Sequence, residues 1–158
     1  MSYENVLRIL NESGIPYTLH EHEPARTADD IRIILAHMPL ELCLKCVPFY
    51  VKGRPDWVLA AIRANDTADY KKIAMLLGIK RDILMRPTPE EMTARLGFEP
   101  GAVTPISDAP NIRVIIDTGV QGDPLYLGSG RPDRTLEMTL ADVVRVTDAT
   151  RASICKDI

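Results

Sequence analysis

No uninterrupted apolar run in these 158 residues reaches the roughly 18 that a helix needs to cross a bilayer. The opening MSYENVLRIL is too acidic, and its apolar stretch too short, for a secretory leader. The expected setting is therefore the cytosol, with no membrane partner. Cysteine is scarce and odd in number, at 3, which argues against a disulfide framework and for reduced thiols. Positive charge is not in excess: 19 Lys+Arg against 22 Asp+Glu leave a formal charge of −3. That excludes a polycation that coats nucleic acid, so any such contact has to be local. Repeats, low-complexity linkers and breaks in composition are missing too. With 46% hydrophobic residues, one compact domain spanning residues 1–158 is the expectation.

What is present is a mixture of helical and extended patterns. Val6, Leu7 and Leu10 recur at helical spacing over residues 3–12, and Ser13-Gly14 ends that helix. Residues 15–21 (IPYTLHE) alternate as a short strand. Thr27 and Asp30 form a capping box opening a helix through about Ala36, closed by Pro39. Two strand-like runs, 42–51 and 57–63, are joined by Lys52-Gly53-Arg54-Pro55-Asp56, whose Gly and Pro suit a hairpin. Pro48 has no N–H for a ladder, so a bulge or an edge position is expected there. Helices are expected over 67–77, ended by Gly78, and over 89–96, with Thr88 as N-cap, Pro89 at its first position and Gly97 after its end. Strands follow at 112–117 and 124–128, then a short helix at 140–146. Without a regular βαβ rhythm, the class is α+β with a mixed sheet.

Within the first long strand, ELCLKCVPFYV (41–51) sets one lysine, Lys45, in a run made for burial. An ammonium taken between two apolar layers has to be paired, neutralised or face a wet cavity. Spacing alone leaves open a lysine that snorkels past the strand edge. Cys43 and Cys46 make a CxxC, but residues three apart on a strand project to opposite faces, and no second pair completes a tetrahedral site. Cys155 is read as lying in the tail. No metal and no cofactor are expected, and the thiols are read as buried and structural. His20 and His22 share a face of the first strand, a spacing that could bind metal or assist a base; a packing role at the strand end is the plainer reading. Basic residues gather at Lys71-Lys72, at Lys80-Arg81 with Arg86, and at Arg131 with Arg134, either solvated faces or the local phosphate contacts that the overall charge permits.

In order, GIPYTLHEHEPARTADDI (14–31), the Lys45 strand, ADYKKIAMLLG (68–78), GFEPGAVTPIS (97–107), IIDTGV (115–120) and GSGR (128–131) form a series. That series resembles the YbaK family, the aminoacyl-tRNA editing domains related to the insertion domain of bacterial prolyl-tRNA synthetase. The resemblance runs from about Gly14 to about Val146 and implies a partly closed mixed β-sheet flanked by helices. It implies hydrolysis of the ester joining a wrong amino acid to tRNA, most often a small one on the tRNA for proline. The family's lysine matches Lys45, and its Gly-x-x-x-Pro loop matches Gly101-Ala102-Val103-Thr104-Pro105. Its late glycine-rich turn matches Gly128-Ser129-Gly130, after a strand carrying Asp117. His22 matches a position often histidine in the family. Several proline-specific members place a histidine in or near the late turn; here the residues are Ser129, Gly130 and Arg131.

An aminoacyl ester is already activated, so positioning the carbonyl near water and stabilising the oxyanion can suffice. On this reading Lys45 and Gly101 are catalytic. His22, Ala102, Val103, Thr104, Pro105, Gly128, Ser129 and Gly130 contact the substrate, and Lys71, Lys72, Lys80 and Arg131 meet tRNA phosphates. The partners implied are the acceptor end of a mischarged tRNA and prolyl-tRNA synthetase. The alternative is a non-catalytic module that binds an aminoacyl-nucleotide or docks on a synthetase.

Overall fold

Along the strand Trp57–Arg63, alternate side chains enter two different cores. Trp57, Leu59 and Ala61 join one buried cluster, and Val58, Ala60 and Ile62 join another. This is the two-faced burial that a continuous apolar strand calls for. The computed structural model describes residues 3–25, 27–34, 36–98 and 102–157. Its elements are α1 (Tyr3–Glu12), β1 (Thr18–Glu21), α2 (Ala28–Ile34), β2 (Leu44–Val51), β3 (Trp57–Arg63), α3 (Tyr70–Leu77) and β4 (Leu84–Met85). They continue with α4 (Pro89–Leu96), β5 (Ile112–Asp117), β6 (Leu125–Gly128), β7 (Arg134–Met138), α5 (Leu140–Thr147) and β8 (Thr150–Ala152). The α+β class is as expected. Among the described residues no helix is long and apolar enough to cross a membrane.

Five strands form a mixed sheet in the order β4-β2-β3-β5-β8, and three form an antiparallel sheet in the order β1-β7-β6. The two meet where Cys43, just ahead of β2, bridges Tyr126 of β6. The larger core fills the space between the sheets and takes in Val6 and Leu10 of α1, Met92 and Leu96 of α4, and Val143 of α5. The smaller lies on the other face of the five-stranded sheet, under Ile73 and Ala74 of α3. Leu59, Ile62 and Leu136 are fully buried, each contributing about 1.5–3 kcal/mol by leaving water.

Local signals account for most boundaries. Thr88 accepts from the Glu91 N–H while Glu91 reaches back to the Thr88 N–H, completing a capping box for α4. Thr27 and Asp30 make the same reciprocal pair ahead of α2. The helix expected from residue 67 starts instead at Tyr70, because Asp69 is its N-cap and accepts from the Lys71 and Lys72 N–H groups. Residues 67–69 are drawn out to pair with the C-terminal segment: the Asp69 N–H donates to Ile154 and the Lys156 N–H to Thr67. Cys155 is thereby buried rather than loose in a tail. The strand expected from residue 42 begins at Leu44, after a 3-10 turn over Leu40–Leu42. Pro48 makes no bulge; its pairing with β3 is in unbroken register opposite Leu59. On its other side β4 reaches only Tyr50 and Val51, so Pro48 sits where no ladder donor is required.

Candidate active site

Where the two sheets meet, the ends of several elements leave a cleft of about 440 Å³. Its walls are the start of β2 (Cys43, Leu44, Lys45, Cys46), His22, Ala25, Thr27, Asp29 and Arg32, then Val103 and the β6–β7 corner. The register sets Lys45 opposite Ile62, on the face of the smaller core. Unlike Val47 and Phe49, which pack into or against that core, Lys45 is exposed and borders the cleft. Among the described residues nothing pairs with its ammonium. The lysine in the apolar run therefore faces a wet cavity.

The other cations of the cleft are held by neighbours. Arg131 Nε lies 2.9 Å from Asp133 Oδ1, and Arg134 Nη1 lies 2.9 Å from Asp133 Oδ2. The hydrogen bonds from Arg131, and then the charges of both arginines, hold the Asp133 carboxyl below the usual carboxylate range. Arg32 pairs with Asp29 at 2.8 Å. Against these three arginines and Lys45 stand Asp29, Asp133 and Glu21, the last 3.6 Å from Arg134, so the cleft keeps a small net positive charge, and Lys45 supplies it.

The loops that the sequence singled out are stitched to each other. The Gly130 N–H donates to the Ala102 carbonyl at 3.0 Å. A Cβ on Gly128 would lie 2.5 Å from the Val103 carbonyl oxygen, so only glycine lets these backbones approach so closely. Ser129 is fully buried; its hydroxyl lies 2.8 Å from the Arg134 carbonyl and accepts from the Arg131 N–H. Thr104, also fully buried, accepts from the Ile106 N–H.

Of the residues expected at a site, Lys45, His22, Val103, Gly128 and Arg131 border the cleft. Ala102, Thr104, Pro105, Ser129 and Gly130 are not among the residues that line it, the first four being buried, and Gly101 is outside the described residues. Lys71, Lys72 and Lys80 are not among the cleft residues. Lys72 reaches the other way, donating to the Cys155 carbonyl at 2.8 Å and to Asp157 at 3.0 Å.

Cys46 packs against the larger core with Leu44, and Cys43 against Met38; all three cysteines are free. Burial pushes the Cys46 thiol up. It also lifts Cys155 to about 12, helped by the charges of Asp117 and Asp66. The donor atoms of Asp66, Asp117 and Cys155 lie within 4.8 Å of one another. Asp66 is bound by Arg63, and Asp117 takes the N–H groups of Gly119 and Ile154, each at 2.8 Å.

A model of the aminoacyl-tRNA editing domain matches residues 22–146. The chain belongs to that family. This is the YbaK-type family expected from the ordered motifs. The editing-domain fold is shared with solved structures of low sequence identity. A hypothetical protein superposes with a TM-score of 0.85 at 20% identity, covering 96% of this chain and 99% of that one. A candidate trans-editing enzyme for prolyl tRNA synthetase gives 0.83 at 21% identity, over 98% and 97%. A candidate signal transduction protein from Marinobacter aquaeolei gives 0.68 at 17%, over 97% of this chain but 31% of that one. No curated protein matches the sequence.

Several residues of this editing domain's cleft went unforeseen. Arg32 and Asn65 sit in ordinary helix and turn contexts that give no local sign. Thr135 belongs to β7, a strand with no local signal of its own; Arg134 stood out only as a basic neighbour of Arg131.

Proposed function

We propose that the chain is a trans-acting aminoacyl-tRNA deacylase that hydrolyses the ester of a mischarged tRNA in the cytosol, working as one domain. Transfer RNA for proline carrying a small wrong amino acid heads the candidate substrates. The observation that carries this reading is Lys45: an exposed, unpaired ammonium on a rigid strand, bordering an electropositive cleft. Such a cation can grip the terminal phosphate or orient the ribose of the last nucleotide. The apolar part of the wall, with Cys43, Leu44 and Val103, suits a small side chain.

In this mechanism Lys45 anchors the nucleotide end. The 102–105 loop, pinned to Gly128 and Gly130, brings backbone close to the ester, and Gly101, next to it in sequence, is the residue proposed to assist there. His22, Val103 and Gly128 border the bound aminoacyl group, while Ala102, Thr104, Pro105, Ser129 and Gly130 keep that wall in place. Arg131 lies near the acceptor-end phosphates; Lys71, Lys72 and Lys80 are left for more distant ones. Because the ester is activated, positioning and charge stabilisation supply most of the acceleration.

The test is a deacylation assay over a panel of tRNAs, each carrying a wrong amino acid. Loss of one or more misacylated tRNAs faster than spontaneous hydrolysis, with correctly charged tRNA spared, is the expected result. Tight binding of the panel with no hydrolysis would mean a non-catalytic binding module.

A further inference from the structure

One hydroxyl in the cleft has its hydrogen bonding fixed by a neighbour. His22 Nδ1 lies 2.7 Å from the Glu23 carbonyl oxygen. A carbonyl only accepts, so Nδ1 carries the proton, and Nε2 of the neutral ring is an acceptor. Nε2 lies 2.7 Å from Thr135 Oγ1, so the threonine hydroxyl donates its one proton to the imidazole. Its oxygen is left as an acceptor. Both residues border the cleft that holds Lys45.

A hydroxyl backed by an imidazole, whose far nitrogen is held by a third group, is the arrangement by which proteins activate a hydroxyl. The neighbours do not offer it. His20 is paired with the Glu137 carboxylate at 2.9 Å and is not among the cleft residues. The hydroxyls of Ser129 and Thr104 are bound to backbone groups, and neither residue lines the cleft. The electropositive surroundings favour negative charge developing on a substrate oxygen.

We propose that His22 and Thr135 form a two-proton relay acting as the general base of this cleft, an inference that rests on the deacylation reading above. A water held by Thr135 Oγ1 attacks the ester carbonyl carbon. Its proton passes to Oγ1 as the hydroxyl proton passes to His22 Nε2, leaving an oxyanion and an imidazolium that still donates from Nδ1 to Glu23. Collapse of the oxyanion restores the carbonyl and breaks its bond to the ribose oxygen. The proton returns through Thr135 to that oxygen. The products are a free amino acid and a tRNA ending in its hydroxyl, with His22 and Thr135 as they began.

The test is single-turnover deacylation of a mischarged acceptor-stem hairpin by wild type, Thr135→Val, Thr135→Ser, His22→Ala and Lys45→Ala, with folding followed by circular dichroism. Thr135→Val and His22→Ala should each lose about a hundredfold or more in rate with little change in the hairpin concentration giving half-maximal rate. Thr135→Ser, which keeps the hydroxyl, should stay within about tenfold of wild type. Added imidazole should restore part of the activity of His22→Ala and none of Thr135→Val. If His22→Ala does not fold, the contrast between valine and serine at position 135 decides. A folded Thr135→Val as fast as wild type, while Lys45→Ala is slow, overturns the relay alone. An acyl-threonine trapped on the protein overturns the base role in favour of a nucleophile. Wild type inert on every mischarged hairpin overturns the deacylation reading and the relay with it.

Discussion

The carbonyl oxygen of Val103 stands 2.5 Å from the point where a Cβ on Gly128 would lie. The contact is backbone against backbone, with no flexible side chain to yield. Gly128→Ala should therefore push the 102–105 loop off the β6–β7 corner. The expected cost is about 1–3 kcal/mol, as for other overpacked sites, read as a lower urea midpoint. Deacylation should fall further than stability does, because that seam is a wall of the cleft. Wild-type values of both would mean the loop is free to move.

Asp117 holds down the C-terminal segment through the N–H of Ile154 and closes its own turn through the N–H of Gly119. Asp117→Ala strands a buried amide and removes two charge-assisted bonds, each worth about 1.5–3 kcal/mol. A stability loss of roughly 3–6 kcal/mol is expected, with faster hydrogen exchange at Ile154 and in β8. Unchanged exchange at Ile154 would show that the segment is held by something else.

Reading the chain in sequence recovered what local chemistry encodes and missed what depends on distant partners. The β2–β3 hairpin, the Thr88 box and the glycine at the end of α3 are written in a few adjacent residues. Strand β7 (RTLEM) follows a turn, and only Leu136 and Met138 mark its apolar face, so its role between β1 and β6 is set by strands far away in sequence. The same holds for β8, three residues held against β5. His22 was singled out, but Thr135, its hydrogen-bond partner, lies 113 residues away, and no motif links them. The lysines of α3 read as phosphate contacts from charge alone, yet Lys72 turns to Cys155 and Asp157.

Thiol reactivity gives a pH test. The thiolate is the reactive form. Burial first, and then the charges of Asp117 and Asp66, raise Cys155 from 9.0 to about 12, and burial raises Cys46 as well. Near pH 8, iodoacetamide should label both far more slowly in the folded protein than in denaturant. The linked stability is fully present below pH 9, the unfolded value, and is lost as pH rises toward about 12. Equal labelling rates in the two states would contradict the burial of these thiols.

Salt dependence reports how much of the tRNA is held. With Arg131 and Arg134 tied to Asp133 and Arg32 to Asp29, few cations at the cleft are free, and about two to four phosphate contacts are expected. The slope of log affinity against log salt should then lie near −1.5 to −4. A short acceptor-stem hairpin should be hydrolysed nearly as well as the whole tRNA. A slope steeper than about −6 would mean an extensive interface that this surface does not offer.

The central claim is that the cleft beside Lys45 is where the ester is hydrolysed, and one comparison tests it most directly. Single-turnover deacylation of the best mischarged hairpin is measured with wild type and with Lys45→Ala, both shown to be folded by circular dichroism and thermal melting. Lys45 is exposed and adds little to either core, so the melting temperature should barely change. The rate should fall by about a hundredfold or more, the scale for losing one preorganised charged contact. A folded Lys45→Ala protein that turns over at the wild-type rate would remove both the lysine and this cleft from the reaction.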